Sequence, residues 1–251
     1  MLPRPIKFSD QDNRTTVMIR ALESQGYDFV FMQEAFTTSF RGSLETALKK
    51  KYPYSYYLDS DSWFYPYFGS GLFVLSKYPM KILDQVYFTE CASADCFAAK
   101  GSFLLESKLP SGKSIQVAVT HMQAGMELKK IRLSQFQQIQ RMFRKFKRKG
   151  VPQVLVGDLN TTFEESDFKE GASLLGMKHI GLTGPVLHTN VIDCYKAPDH
   201  PKRWIDHMWF DQDTVLADSS LSVREVSYNF EGKNCMASDH HAVEGTFTFG
   251  K

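Results

Sequence analysis

Short apolar runs along the chain alternate with stretches in which apolar side chains recur every three to five positions, a rhythm that predicts strands interleaved with helices. Residues 27–32, 71–75, 114–120 and 153–156 are brief runs rich in β-branched and aromatic side chains, and 208–210 and 242–249 continue the series. Phe73 to Leu75 and Val154 to Val156 are apolar on both faces, which predicts strands covered from both sides. In 114–120, Ile115, Val117 and Val119 alternate with Gln116, Ala118 and Thr120, the pattern of a strand with one apolar face. From 127 to 148, Leu128, Ile131, Phe136, Ile139, Phe143 and Phe146 fall along one stripe of a helix. That helix closes on Arg141, Arg144, Lys145, Lys147, Arg148 and Lys149, followed by Gly150 and Pro152 as stop signals. Cations suit a helix C-terminus, so this end is expected to be a solvated face. A second helix is expected over 13–24, covering the sheet.

No low-complexity segment, repeat or Pro/Ser-rich linker divides the pattern, so one domain is expected over 1–251. A chain of 251 residues that is 43% hydrophobic can bury a full core without metals or disulfides. Thirty Lys and Arg against 28 Asp and Glu leave +2, too balanced for a general nucleic-acid footprint. No apolar run reaches the roughly 18 residues of a membrane span, and the N-terminus lacks the apolar core of a secretory signal. Cys91, Cys96, Cys194 and Cys235 show no zinc-ligand spacing. Buried or free thiols are the expected state, with a Cys91–Cys96 bridge sterically open to a secreted protein.

Chemistry concentrates where apolar runs end. Gln33-Glu34, Thr120-His121, Gly157-Asp158-Leu159-Asn160, Arg203-Trp204-Ile205-Asp206-His207 and Ser238-Asp239-His240 each place acid, amide or imidazole groups beside a strand. Rigid strands support such groups while the adjoining loops keep them accessible, as a catalytic floor requires. Singly, each has a plainer account: Glu34 as a cap, His121 as a satisfied core histidine, Gly157-Asp158 as a turn.

Together and in this order, these motifs resemble those of the endonuclease/exonuclease/phosphatase superfamily of metal-dependent phosphoesterases. Gln33-Glu34-Ala35-Phe36, residues 69–79, Lys100-Gly101-Ser102 and Thr120-His121-Met122-Gln123-Ala124 are most similar to the neutral sphingomyelinases, including the secreted bacterial ones. The resemblance implies an α+β fold, a four-layer α/β/β/α sandwich of two packed mixed sheets flanked by helices. It also implies a magnesium-dependent phosphodiesterase, with manganese or cobalt as alternative ions, that hydrolyses sphingomyelin to ceramide and phosphocholine. Glu34 would be the principal metal ligand and Asp239 would face the metal. His240 would be the general base, Asp206 would hold its tautomer, Asp158 and Asn160 would orient water and a phosphoryl oxygen, and His121 would stabilise the transition state. These residue types suit the task, since phosphodiester hydrolysis needs an activated water and neutralised phosphoryl oxygens. His207 and His241 neighbour Asp206 and His240 on extended chain and are expected to face away.

The family's first strand carries an Asn metal ligand shortly before a segment resembling Met1-Leu2-Pro3, so the chain is expected to lack that strand. Asn13, expected at the start of a helix, is not promoted to ligand. Trp63, Phe64, Tyr65, Tyr67 and Phe68 place aromatic side chains around Pro66, a composition suited equally to a membrane-contacting loop and to a loop folded over the core. The expected partner is a phospholipid at a membrane surface, bound by a monomer without a transmembrane segment, with nucleic acid disfavoured. Two alternatives stand beside this: another phosphoesterase of the superfamily, either a nuclease or an inositol-phosphate phosphatase, and a catalytically impaired membrane-associating module. Localisation is open: secreted or peripheral to a membrane if an upstream signal exists, cytoplasmic otherwise.

Overall fold

The computed structural model describes residues 8–58, 69–191 and 201–250. The aromatic segment Trp63, Phe64, Tyr65, Tyr67 and Phe68, together with Cys194 and His200, lies outside the described residues. In chain order the first elements are α1 (Phe8–Ser24), β1 (Phe29–Met32), α2 (Thr38–Leu48), β2 (Tyr54–Tyr57), β3 (Phe73–Ser76) and β4 (Met80–Tyr87). They are followed by β5 (Gly101–Lys108), β6 (Ser114–His121), α3 (Lys129–Phe146), β7 (Gln153–Asp158), α4 (Ser166–Leu175) and β8 (Met177–His179). The last are β9 (Asp206–Asp211), β10 (Leu216–Arg224), β11 (Ser227–Phe230), β12 (Lys233–Met236) and β13 (Ala242–Phe249). The first helix starts at Phe8, earlier than the 13–24 read from sequence, so Asn13 lies within it rather than at its start.

These elements form a four-layer α/β/β/α sandwich. One sheet has six strands in the order β4-β5-β6-β7-β9-β8, antiparallel except for the parallel β6–β7 pair. The facing layer is built from β1-β3-β2 and from the β10–β13 pair. Leu72, Val74, Phe103, Leu105, Val117, Val119, Val154, Val156 and Phe210 fill the space between the sheets, with Phe31, Phe247 and Phe249 packed against them. Helices α3 and α4 cover the outer face of the six-stranded sheet through Phe136, Ile139, Phe143 and Phe168, which meet Leu104, Leu155 and Trp209. Leu44 and Leu48 of α2 cover the other sheet against Phe73 and Leu75.

β3 and β7 are buried along their whole length, as apolar residues on both faces require. β6 departs from its alternating pattern: Gln116 and Thr120 are buried too. Hydrogen bonding makes that possible, because the Gln116 amide donates to Glu106 and to the Phe146 carbonyl while the Thr120 hydroxyl donates to the Gly101 carbonyl. The basic end of α3 is exposed but laced to neighbouring elements, with Lys145 on Asp84, Lys147 on Asp211 and Arg148 on Glu106.

The cysteines overturn one expectation. Cys91 and Cys96 form a disulfide across a single 3-10 turn at Ser93–Phe97, and no free cysteine occurs among the described residues. Five residues of separation and a Cα–Cα distance of 5.2 Å fall within the reach of a disulfide, a closure that the absence of zinc-ligand spacing could not reveal.

Candidate active site

Strand register brings the strand-end groups together. His121 pairs with Asp158 across the parallel β6–β7 ladder, and Asp158 pairs with Asp206 across β7–β9. Two strands end and a third begins at the same edge, so three functional side chains stand on adjacent strands. The close approach depends on Gly157: at φ +141, a Cβ there would lie 1.9 Å from the Thr120 carbonyl oxygen. His240 reaches this edge from the loop before β13 and is fixed by a bridge between Asn190 and its backbone.

Asp158, Asp206 and His240 offer ligand atoms within 4.8 Å of one another, a donor set that could hold a metal ion. The His240 Nδ1 lies 2.8 Å from Asp206 Oδ2, while the Asp206 backbone N–H donates to the Thr189 hydroxyl. Asp158 accepts from the Asn160 backbone N–H, and the Asn160 side-chain amide donates to the Met122 carbonyl. Asn160 holds φ +51, a left-handed conformation that asparagine tolerates better than most residues. His121 is buried, with Nε2 2.9 Å from Lys100 Nζ and 3.6 Å from Asp158 Oδ2.

Packing acid against acid here has electrostatic consequences. Burial, and then the Asp206 carboxylate, push Asp158 above the usual carboxylate range. Burial opposes charge on His240, but Asp206 and then Asp158 and Asp239 outweigh it and raise the imidazole to about 10. His240 is therefore an imidazolium at neutral pH until the surrounding negative charge is neutralised, which is what a divalent cation would do. Hard carboxylate oxygens and a site that repels its own negative charge fit such an ion. His121 shifts the other way: burial, followed by the Lys100 ammonium, holds it well below the usual histidine range. It is a neutral ring, and with Lys100 donating to Nε2 its proton is assigned to Nδ1.

A second ring of contacts holds Lys100. It is buried and paired at 2.8 Å with Asp95, which also accepts the Ala124 backbone N–H. Asp95 sits within the loop closed by Cys91–Cys96, and Gln123 ties that loop to the His121 segment through both the N–H and the carbonyl of Ala92.

Of the residues read from sequence, His121, Asp158, Asn160, Asp206 and His240 come together. Glu34 and Asp239 are not part of the close acid group. Asp239 is next to His240 and helps to charge it. Glu34 follows β1 with φ +59, against Gly71, where a Cβ would approach the Glu34 Cα to 3.0 Å and the Phe36 ring to 2.7 Å. His207 points to the other face of β9, where burial lowers it to about 4 and its Nε2 meets the Thr161 carbonyl. His241 lies beside His188 and Glu225. Lys100 and Asp95 were missed as site residues. Lys100 stands in a motif that signals resemblance, but nothing local in a lysine before a strand says that it will be buried on a histidine.

No family model matches the chain. A phospholipase C of Staphylococcus aureus is 27% identical over 212 residues, which are 74% of this chain and 63% of that one. Sphingomyelinase C 2 of Leptospira interrogans is 26% identical over 220 residues, 79% of this chain and 35% of that one. The chain thus spans between about a third and two thirds of the length of these curated relatives. In fold it is similar to a mutant beta toxin of Staphylococcus aureus with bound magnesium ions, at a TM-score of 0.78 and 21% identity over 94% of this chain and 91% of that one.

Proposed function

We propose that this chain, which has the fold of the endonuclease/exonuclease/phosphatase superfamily and resembles the neutral sphingomyelinases within it, hydrolyses sphingomyelin to ceramide and phosphocholine with the help of a divalent cation. The observation that carries this reading is the Asp206–His240 pair at 2.8 Å beside a buried, elevated Asp158. An imidazole held at Nδ1 by a carboxylate presents Nε2 as a general base. His240 would take a proton from water as the water oxygen attacks phosphorus and the bond to the ceramide oxygen breaks, the leaving alkoxide gaining a proton from solvent. Asp158 and Asn160 would orient that water and a phosphoryl oxygen, and neutral His121 would donate a hydrogen bond to charge developing on phosphorus. Magnesium, or manganese or cobalt in its place, would be held by Glu34 and Asp239, supplying charge neutralisation and a more acidic water.

Exposed apolar side chains favour a lipid partner. Phe97 and Phe163 are each about half exposed, on loops that adjoin Lys100 and Asn160 respectively. Leu187, two residues before Thr189, is 59% exposed. No helix among the described residues is long and apolar enough to cross a membrane, so contact would be peripheral. The Cys91–Cys96 disulfide favours an oxidising compartment. The active unit is proposed to be a monomer. The test is phosphocholine release from sphingomyelin vesicles, with plasmid nicking in parallel, each with magnesium and with chelator. Magnesium-dependent lipid turnover that His240→Ala abolishes is expected. DNA cleavage, or comparable rates in wild type and variant, would overturn the reading.

A further inference from the structure

Helix α3 buries a polar row that its apolar stripe does not require. Arg132 has no exposed surface and sits among backbone carbonyls: Nη1 donates to Gln123 at 3.1 Å and Gly125 at 2.5 Å, and Nη2 to Met126 at 3.1 Å. Its Nε bonds Asp167 Oδ2 at 2.6 Å, and Asp167, also fully buried, accepts the Thr161 hydroxyl on its other oxygen at 3.1 Å. Burying an ion pair is costly, and packed hydrocarbon would serve stability as well. What this pair does that hydrocarbon could not is join two loops, one continuing from His121 and the other from Asp158 and Asn160. The loops also touch directly, through Met122 N–H on the Asp158 carbonyl and Asn160 on the Met122 carbonyl.

We propose that Arg132 and Asp167, acting through Thr161, are positioning residues that set the transition-state donors of one loop against the water-orienting groups of the other. This rests on the phosphodiesterase reading above. Neither residue touches the reacting atoms. Each acts by fixing the loop that holds them, and misplacement of about 1 Å costs on the order of 100-fold in rate.

Arg132→Ala or Asp167→Ala would strand a buried charge and risks unfolding, so the test uses Thr161. Thr161→Val is close to isosteric and cuts the strut at its end, whereas Thr161→Ser keeps the hydroxyl. With the full chain, magnesium and sphingomyelin vesicles, Thr161→Val is expected to lower kcat about tenfold or more with KM within twofold, and Thr161→Ser to restore kcat to within about threefold. In parallel, amide exchange in metal-free protein is expected to quicken in Thr161→Val at 159–161 and at 123–126, the segment whose carbonyls Arg132 holds. Wild-type kcat in folded Thr161→Val, a serine variant as impaired as the valine one, or unchanged exchange at 123–126 would each overturn the proposal. A wild-type protein inactive on lipid would instead sink the functional reading, and the exchange measurement would still decide this one.

Discussion

Replacing Asp206 by Asn tests the centre of the electrostatic argument. The carboxylate is 2.8 Å from His240 Nδ1 and is the first of the charges that lift the imidazole from 6.5 to about 10. At about 1.4 kcal/mol per unit, that lift amounts to roughly 5 kcal/mol of preference for the charged ring, shared among Asp206, Asp158 and Asp239. Because the folded value lies above the unfolded one, the associated stability is fully present below the ordinary histidine range and is lost as pH rises through about 10. In chelator, wild-type protein should therefore lose stability from about pH 6.5 to 10. The Asp206→Asn variant should be less stable at neutral pH and show a flatter curve, with His240 titrating nearer the ordinary histidine value in a ring-proton NMR titration. Asparagine can still accept from Nδ1–H but carries no charge, so turnover with magnesium should fall about 100- to 10,000-fold while the loop geometry survives. An unchanged His240 titration in the variant, or full turnover, would refute the assignment of Asp206 as its partner.

Asp158→Asn should stabilise the chelated protein by roughly 1–3 kcal/mol at neutral pH and above, since a buried carboxyl with a raised value favours folding less as pH rises, while abolishing the gain in Tm that magnesium gives wild type. Tm against pH with and without the ion checks both. Opening the Cys91–Cys96 bridge by Cys→Ser substitution at both positions should cost about 2 kcal/mol in denaturant melts, the loop entropy of so short a closure. It should also lower turnover, because Asp95 inside the loop holds Lys100 on His121. Serine at Phe97 and Phe163 should weaken vesicle sedimentation yet spare hydrolysis of a soluble diester, whereas equal loss on both substrates would place these rings in the fold rather than the membrane contact.

Much of the layer structure was legible because periodicity is a local property. Runs apolar on both faces became β3 and β7, and the stripe of α3 became one side of the core. The strand-end motifs also marked His121, Asp158, Asn160, Asp206 and His240, which gather at one sheet edge. Gln116, Arg132, Gln135 and Gln138 fall outside the apolar positions of their elements, yet all are buried, because their partners are backbone groups and side chains far along the chain that no pattern can reveal. Lys100 and Asp95 likewise acquire meaning only when the disulfide turn folds against the end of β6.

The order of side chains therefore determined which faces are apolar, where strands and helices lie, and which chemical groups stand at strand ends. Tertiary structure decided which of those groups meet, and with that their charge states: one histidine buried against a lysine becomes neutral, while another set among three carboxylates becomes cationic. Hydrophobic periodicity repeats over a few residues and is written in the chain, whereas Coulomb energy depends on distance and burial, which exist only after distant segments have packed.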